Sequence, residues 1–222
     1  MNFENGITRC SGKYTHLIWD FNGTLLDDVR LGMDCVNSML AVRGLPTLPD
    51  LAAYRKVFGF PIEDYYRRLG FDFEKEDYHT VLAPEWVALY LEGEGQCRLN
   101  QGAEETIAGI KMLGIPQILL SASNLRQLEG QLERLDLLTT FEEVWGLDNI
   151  HARSKRALAE EWMARHPMAR PLFVGDTVHD AEVAEAVGAD CILFEGGHQS
   201  AELLAGKGMA MISRISDLPG YL

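Results

Sequence analysis

Apolar and polar residues alternate in a strand–helix pattern over most of the chain beyond residue 98. Helices are indicated where apolar residues recur every three or four positions, as at Ile107, Ile110 and Leu113. Between such helices lie four short apolar runs that predict strands: IPQILLS ending at Ser121, the weaker FEEVWG, PLFVGD ending at Asp176, and CILFE. Alternating strands and helices predict βαβ units around a parallel sheet. An earlier run at residues 17–19 belongs with these strands.

Residues 27–97 show a different pattern, with helices and no convincing strand. Helical spacing begins at Val29 and ends before Gly44, Pro61 suits a first helical position, and Pro84 should kink or split a later helix. We therefore predict an all-helical cap over residues 27–97. It is inserted into a three-layer, Rossmann-like α/β core with a mainly parallel sheet, formed by residues 1–26 and 98–222. An insertion directly after the first strand suits a lid over a site at the end of that strand.

Composition and charge narrow the class of protein. The chain has 222 residues, of which 47% are hydrophobic and 24% charged, so a globular fold is expected. Its net charge of −13 argues against a nucleic-acid partner, because phosphate-backbone binding needs clustered Lys and Arg. No apolar run approaches the ~18 residues of a membrane span, and residues 1–10 lack the apolar segment of a signal peptide. We expect a cytoplasmic protein whose four cysteines are reduced thiols.

The first strand ends at an acidic residue, Asp20, which the turn residues Gly23 and Thr24 follow. A carboxylate at the end of a buried strand is costly unless something pairs with it, and ligands bind at the carboxyl ends of strands in open α/β sheets. Asp20 is therefore a candidate catalytic or metal-binding residue. The alternative is an ordinary Asp that caps the next segment.

Two later strand ends carry further candidates. Ser121 ends an apolar strand before a helix, where its hydroxyl and the free amides, including that of Ala122, could bind phosphate. A plain helix cap, formed by Ser121, Ser123 or Asn124, is the alternative there. Asp176 ends another strand, and Asp180 follows four residues on, so that the two carboxylates could share one Mg²⁺ ion. A capping Asp and a surface Asp are the alternative, and His179 between them is interpreted as an exposed residue of the helix's first turn.

These motifs together resemble those of the haloacid dehalogenase superfamily. The first motif of that superfamily is an Asp-x-Asp-Gly-Thr pattern, which WDFNGTL resembles. Ser121, Lys155 and VGDTVHD follow in the order of the second, third and fourth motifs, and the superfamily carries a helical cap between the first and second motifs. The resemblance implies that Asp20 attacks phosphorus and that Lys155 steadies the phosphoryl charge, with Arg153 and Arg156 as rivals for Lys155. It implies phosphate contacts from Ser121, Ala122 and Thr24. The implied Mg²⁺ ligands are Asp20, the backbone carbonyl of Asn22, Asp176 and, in support, Asp180.

Asn22 departs from the resembled motif, which has an acid–base Asp at that position. An Asn amide cannot exchange a proton at neutral pH, so the resemblance implies a slow phosphatase on which phosphorylated Asp20 accumulates, unless His179 or His198 supplies the proton. The alternatives are a pseudoenzyme that binds phosphate and Mg²⁺, a sugar-phosphate mutase and a haloacid dehalogenase. The mutase needs an acid–base group at position 22, and an acidic metal-binding pair has no role in the dehalogenase.

Two segments are candidates for substrate recognition. A basic, aromatic patch in the cap includes Arg55, Tyr65, Tyr66 and Arg68, and it either faces a phosphorylated acid or sugar or is a core stripe with solvated charges beside it. The loop at residues 196–200 follows a strand and either lines the pocket or forms a plain turn. We expect a small phosphorylated metabolite as the substrate, and the phosphoglycolate phosphatase branch as the nearest resemblance. The sequence leaves the oligomeric state open.

Overall fold

The computed structural model describes residues 12–147 and 154–222. The strands are β1 (His16–Trp19), β2 (Leu26–Asp27), β3 (Arg98–Leu99), β4 (Gln117–Asn124), β5 (Glu143–Leu147), β6 (Pro171–Gly175), β7 (Asp190–Phe194) and β8 (Ala210–Ile212). The helices are α1 (Val29–Val42), α2 (Leu51–Val57), α3 (Ile62–Leu69), α4 (Ala83–Gly93), α5 (Ala103–Met112), α6 (Leu125–Arg134), α7 (Lys155–Arg165), α8 (Val178–Ala186) and α9 (Ala201–Ala205). Short helical turns precede and follow α4, and a 3₁₀ helix, Ile215–Tyr221, ends the chain.

Six strands form one parallel sheet in the order β5-β4-β1-β6-β7-β8. Strand β1 lies in the middle, paired with β4 on one side and β6 on the other. This confirms the predicted parallel sheet and all five predicted strands. Of the six strands in this sheet, β8 was not predicted, and neither were the two-residue strands β2 and β3 outside it.

Helices cover both faces of the sheet, which gives the predicted three layers. Leu17 and Trp19 of β1 pack into one apolar cluster, with α5 and α6. Ile18 packs into the other cluster, with α7 and α8. Successive side chains of a strand point to opposite faces, so the unbroken apolar run of β1 follows from its burial on both sides.

The segment between β2 and β3 is helical, and its apolar side chains form a third cluster. Pro84 does split a helical stretch, since a π-helical turn, Tyr78–Leu82, ends just before α4 and Pro84 lies in the first turn of α4. Pro61 is the cap residue before α3, one position earlier than predicted.

Two short strands join this segment to the rest of the chain. Leu26 pairs with Leu99 and Asp27 with Arg98 in an antiparallel ladder. We propose that these paired strands mark the boundary between a helical cap at 27–97 and the core at 1–26 and 98–222. The helices α1 to α4 then form the cap.

Other sequence-based expectations concern thiols and membranes. Cys35, Cys97 and Cys191 are buried free thiols, whereas Cys10 and the segment considered for a signal peptide lie outside the described residues. None of the helices in the two described ranges combines the length and hydropathy needed to span a membrane.

Candidate active site

Three adjacent strands bring predicted site residues to one edge of the sheet. Asp20 follows β1, Asp176 follows β6, and Ser121 lies in β4. Because these strands are parallel neighbours, their carboxyl ends meet where ligands bind in open α/β sheets. All three residues line a cavity of about 550 Å³, which the helices of the cap also line.

Three acidic side chains converge in this cavity. Asp20, Asp176 and Asp180 each offer a carboxylate oxygen, and these oxygens all lie within 4.8 Å of one another. Burial disfavours a charged carboxylate, and it raises the pKa of Asp20 well above its usual range and that of Asp176 to about 6. Hard oxygen donors and concentrated negative charge suit a divalent cation such as Mg²⁺. The residues present therefore fit the metal that the sequence predicts.

Lys155 is the cation within this cluster. It is the first residue of α7, its side chain is 5% exposed, and its Nζ donates hydrogen bonds to Asp20 and Asp180. Burial opposes the ammonium charge, but the carboxylates of Asp180 and Asp20 outweigh it and raise the pKa of Lys155. Of its two rivals, Arg156 forms an exposed ion pair within α7, and Arg153 lies outside the described residues.

Asp180 is held by the start of helix α8. Its Oδ2 accepts hydrogen bonds from the N–H of Asp176 at 3.2 Å, the N–H of Thr177 at 3.0 Å and the hydroxyl of Thr177 at 2.6 Å. Burial would raise the pKa of Asp180, but Lys155 and these bonds lower it. Asp180 is thus the capping-box partner of Thr177, and it is buried in the site and not on the surface, where the alternative placed it.

The backbone approaches Asp176 closely on two sides. The hydroxyl of Thr24 donates to its Oδ1 at 2.9 Å, and the N–H of His198 donates to its Oδ2 at 2.6 Å. A Cβ atom added at Gly23 would lie 2.4 Å from Oδ2 of Asp176, and one added at Gly197 would lie 2.2 Å from the same oxygen. Gly23 also has a φ of +75°. Glycine is required at both positions. The loop at residues 196–200 therefore contributes to the site.

Asn22 is hydrogen-bonded on both sides of its amide. Its Nδ2 donates to Oδ2 of Asp28 at 2.8 Å, and its Oδ1 accepts from the hydroxyl of Ser123 at 2.7 Å. The hydroxyl of Tyr90 lies 2.9 Å from the same Nδ2 and donates to Oδ2 of Asp28 at 2.6 Å. A charged carboxylate can only accept hydrogen bonds. Asp28 therefore fixes the orientation of the Asn22 amide.

A buried ion pair lies behind Asn22. Nε2 of His198 is 3.2 Å from Oδ1 of Asp28, and its Nδ1 is 2.8 Å from the hydroxyl of Tyr54. Burial would lower the pKa of His198, but the carboxylate outweighs it and raises that pKa to about 9. Burial would likewise raise the pKa of Asp28, but His198, Tyr90 and Asn22 lower it. Both members of the pair are charged at neutral pH.

This ion pair predicts a pH dependence of stability in metal-free protein. The pKa of His198 is raised from 6.5 to about 9, so its contribution is complete below pH 6.5 and is lost as the pH rises through 9. The lowered pKa of Asp28 matters only in acid, below its unfolded value of 3.8. The free energy of unfolding should fall by about 3 kcal/mol between pH 6.5 and 9.5, at 1.36 kcal/mol per pKa unit.

Urea unfolding at several pH values in EDTA measures this loss. His198→Gln should remove it, and His79→Gln, at an exposed position, should leave it in place. An equal pH slope in the His198→Gln variant would contradict the assignment.

Ser121 and Ala122 lie where the phosphate site is predicted. Both line the cavity, and the buried Ser121 hydroxyl accepts the N–H of Ser123 at 3.1 Å. Strand β4 continues past the predicted end to Asn124, and it is Asn124 whose side chain caps helix α6. The capping alternative therefore applies to Asn124 and not to Ser121.

The basic, aromatic patch in the cap separates into two parts. Tyr65 and Tyr66 are buried and line the cavity. Arg55 instead donates to the backbone carbonyls of residues 196 and 197, and Arg68 donates to a carbonyl at the end of α2. The tyrosines thus belong to the core, and the arginines do not line the cavity.

His179 is in the first turn of α8, as predicted, but it is not exposed. Its ring stacks on that of Phe60 from the cap, with centroids 4.6 Å apart, and it lines the cavity. Burial lowers its pKa. The expectation of an exposed residue is wrong because the cap covers this turn.

Sequence reasoning did not identify Asp28, Tyr90 and Ser123 as site residues. Asp28 directly precedes α1, but its side chain makes no capping hydrogen bond. One signal was available, since Asp28 supplies an extra carboxylate in the same motif that lacks one at Asn22. Tyr90 and Ser123 reach Asn22 only through the tertiary fold.

Known proteins share this sequence pattern and fold. The family model for haloacid dehalogenase-like hydrolases matches residues 17–194. A phosphoglycolate phosphatase of Pseudomonas syringae pv. syringae (strain B728a) is 27% identical over 96% of this chain and 82% of its own length. The phosphoglycolate phosphatase of Rhodobacter capsulatus is 25% identical over 93% of this chain and 95% of its own length. A haloacid dehalogenase-like family hydrolase from Streptococcus pneumoniae has the same fold, with a TM-score of 0.79 at 15% identity over 94% of this chain and 98% of that one.

These similarities extend over the core strands, the helical insertion and the site. The family model spans the segment from β1 to the end of β7, and so includes Asp20, Lys155 and Asp176. The chain therefore belongs to the haloacid dehalogenase-like hydrolase family, as a phosphatase-type member that resembles the phosphoglycolate phosphatase branch.

Proposed function

We propose that this chain is a Mg²⁺-dependent hydrolase of a small phosphate monoester, with Asp20 as the nucleophile. The observation that carries the proposal is the placement of Asp20. Its carboxylate lies at the carboxyl end of β1 and lines the cavity. It is paired with Lys155 beside the carboxylates of Asp176 and Asp180. Family membership and the phosphoglycolate phosphatases among its relatives support the same reaction.

The metal would be held by Asp20, Asp176 and the backbone carbonyl of Asn22, with Asp180 in support. Bound Mg²⁺ supplies positive charge that offsets the negative charges of the phosphoryl group and the attacking carboxylate. Asp180 already accepts hydrogen bonds on both oxygens, which favours a supporting role for it. Asp176 is held in place by Thr24 and the His198 N–H.

The protein's own groups then act on the phosphoryl group. A carboxylate oxygen of Asp20 attacks phosphorus, the bond from phosphorus to the alcohol oxygen breaks, and an aspartyl-phosphate forms. Lys155, whose Nζ donates a hydrogen bond to Asp20, stabilises the negative charge in the transition state. The Ser121 hydroxyl and the neighbouring amides bind the phosphoryl oxygens. Water then attacks the same phosphorus atom and releases inorganic phosphate and free Asp20.

Asn22 limits the proton transfers in both steps. It can donate a hydrogen bond but cannot protonate a leaving alkoxide or deprotonate the attacking water. General acid–base catalysis is worth ~10²–10⁴-fold, so alkyl phosphates should react slowly and the phosphoenzyme should persist. The same residue favours the second candidate function, a phosphate- and Mg²⁺-binding protein with little turnover.

A panel of phosphorylated metabolites, assayed with Mg²⁺ and with EDTA, separates these two functions. Mg²⁺-dependent release of phosphate, with phosphate trapped on Asp20 by rapid acid quench and mass spectrometry, is the expected result. Activity that persists in EDTA would contradict the proposed mechanism. Binding of beryllofluoride without phosphate release from any substrate would favour the binding protein.

Asp176→Asn should remove the Mg²⁺ dependence of stability together with activity. Mg²⁺ at 100 times its Kd should raise the free energy of unfolding of the unmutated protein by about 2.7 kcal/mol. The variant should show no such rise, because it lacks a charged ligand. Its metal-free form should be at least as stable as the unmutated protein, since burial disfavours the Asp176 charge.

The matched control for this substitution is Asp27→Asn, at an exposed residue of β2. Thermal or urea unfolding with and without Mg²⁺ makes the measurement. An unchanged Mg²⁺ response in the Asp176→Asn variant would place the metal elsewhere.

A further inference from the structure

Between positions 54 and 90, the cap lines the cavity with a wall of aromatic and aliphatic side chains. Every lining residue between positions 54 and 90 is of one of these two kinds, and they include Phe58, Phe60, Tyr65, Tyr78 and Trp86. The cavity volume of about 550 Å³ lies within the ~300–1,000 Å³ range of sites that enclose drug-sized ligands. Such a wall gains free energy by burying an apolar group, not a small polar one.

The described lining offers no free cation for a substrate carboxylate. Lys155 is the only Lys or Arg among these residues, and its ammonium already binds two site carboxylates. His198 is paired with Asp28, and Glu94 adds another acidic group to the lining. A carboxylate on the leaving group would be buried without a partner, which is unfavourable.

One polar group in the wall lacks a partner. Tyr65 is 3% exposed, and its hydroxyl is the buried side-chain polar atom of the described residues that has no hydrogen-bond partner. A buried hydroxyl without a partner is unfavourable. Tyr65 lines the cavity, so a turn of its ring would let an uncharged polar group on a ligand satisfy this hydroxyl.

We infer that the substrate is a phosphate monoester of an uncharged aromatic alcohol of the phenol type. This inference rests on the proposed phosphatase function and names its substrate class. The wall provides apolar contact for an aromatic ring, and Tyr65 provides one hydrogen bond. Asn22 supports the same class independently, because a phenolate leaves without a general acid, whereas an alkoxide does not.

The reaction balances without any further reactant. Asp20 forms a bond to phosphorus as the bond from phosphorus to the aryl oxygen breaks, and the phenolate departs with that electron pair. Solvent protonates the released phenolate when the pKa of the phenol lies above the pH. Water then forms the new bond to phosphorus, the bond to Asp20 breaks, and the released proton goes to solvent.

A matched pair of substrates tests the charge requirement. 4-Carbamoylphenyl phosphate and 4-carboxyphenyl phosphate are similar in shape and leaving group but differ by one negative charge. The kcat/KM of the carbamoyl substrate should be at least 10-fold higher, and it should exceed that of phosphoglycolate at least 100-fold. Equal kcat/KM values for the pair, or a higher value for 4-carboxyphenyl phosphate or phosphoglycolate, would overturn the inference.

Two further measurements distinguish this failure from failure of the proposed function. Acetyl phosphate needs neither an aromatic wall nor a proton donor, so its Mg²⁺-dependent hydrolysis tests the phosphatase chemistry alone. Benzylphosphonate and phosphonoacetate are not hydrolysed, so their binding in calorimetry tests the substrate class even without turnover. Benzylphosphonate should bind at least 10-fold more tightly. Tighter binding of phosphonoacetate would overturn the inference.

Variants of the wall test the same point. Phe60 is 39% exposed, so Phe60→Ala should fold, and it should lower the kcat/KM for 4-carbamoylphenyl phosphate about 10-fold relative to acetyl phosphate. Tyr65→Phe should lower the preference for the carbamoyl substrate over phenyl phosphate. Tyr221→Ala, at an exposed aromatic residue outside the cavity, should change neither ratio. Unchanged ratios in both wall variants would overturn the assignment of the wall.

Discussion

Asp20→Asn should reduce phosphatase turnover by ~10⁴-fold or more and leave the fold intact. The amide is close in shape to the carboxylate but cannot attack phosphorus. Removing a nucleophile in an enzyme with a covalent intermediate costs on the order of 10⁴–10⁶-fold in kcat. Lys155 would retain Asp180 as a partner, so this cation would not be left unpaired.

Three measurements make this prediction specific. Steady-state hydrolysis should fall below detection, no phosphoenzyme should be trapped, and the unfolding midpoint should not decrease. Burial raises the pKa of Asp20, so removing its charge should not destabilise metal-free protein. Asp27→Asn provides the same chemical change at an exposed position and should keep full activity. Substantial hydrolysis by Asp20→Asn would exclude the covalent mechanism.

Exchanging an amide and a carboxylate between positions 22 and 28 should accelerate hydrolysis of alkyl phosphates. In the Asn22→Asp/Asp28→Asn double variant, a carboxylate takes the place of the amide that Asp28 now binds at 2.8 Å. The new amide at position 28 can donate to it, and its oxygen can still accept from the Gly23 N–H and His198. The expected gain in kcat for alkyl phosphates is ~10²–10⁴-fold, the range of general acid–base catalysis.

The single variant Asn22→Asp should gain much less. It would place two carboxylates at hydrogen-bond distance, and like charges that close raise the pKa of one of them. Because His198 and Tyr90 hold Asp28 in its charged form, the carboxyl group at position 22 would hold the shared proton and could not act as the base for the attacking water. The structure therefore makes Asp28 the residue that decides whether an acid at position 22 can work.

Kinetics of the four members of this double-mutant cycle provide the test. Alkyl phosphates should gain most, aryl phosphates little, and the lifetime of the phosphoenzyme should shorten only in the double variant. Asp28→Asn alone should give no gain, because both positions would then lack a carboxylate. If the unmutated protein already hydrolyses alkyl phosphates rapidly and the double variant does not differ, Asn22 is no obstacle to catalysis.

The sequence alone determined the fold and the position of the chemistry within it. Apolar runs such as residues 17–19 and PLFVG are buried on both faces of a parallel sheet, and that burial imposes a local pattern that can be read directly. The acidic residues Asp20 and Asp176 come directly after those runs. Parallel pairing then brings them to one edge, so their proximity followed from topology alone.

The tertiary structure decided how those residues are paired and what surrounds them. Asn22 meets Tyr90 and Ser123, which are 68 and 101 residues away along the chain, and no local pattern encodes such a contact. The tyrosines of the cap looked like part of a basic patch, but packing placed their rings in the cavity and left the arginines outside it. Hydrophobic periodicity specifies which side of a helix or strand is buried. It does not specify which buried groups meet, because that depends on how the helices of the cap pack over the end of the sheet.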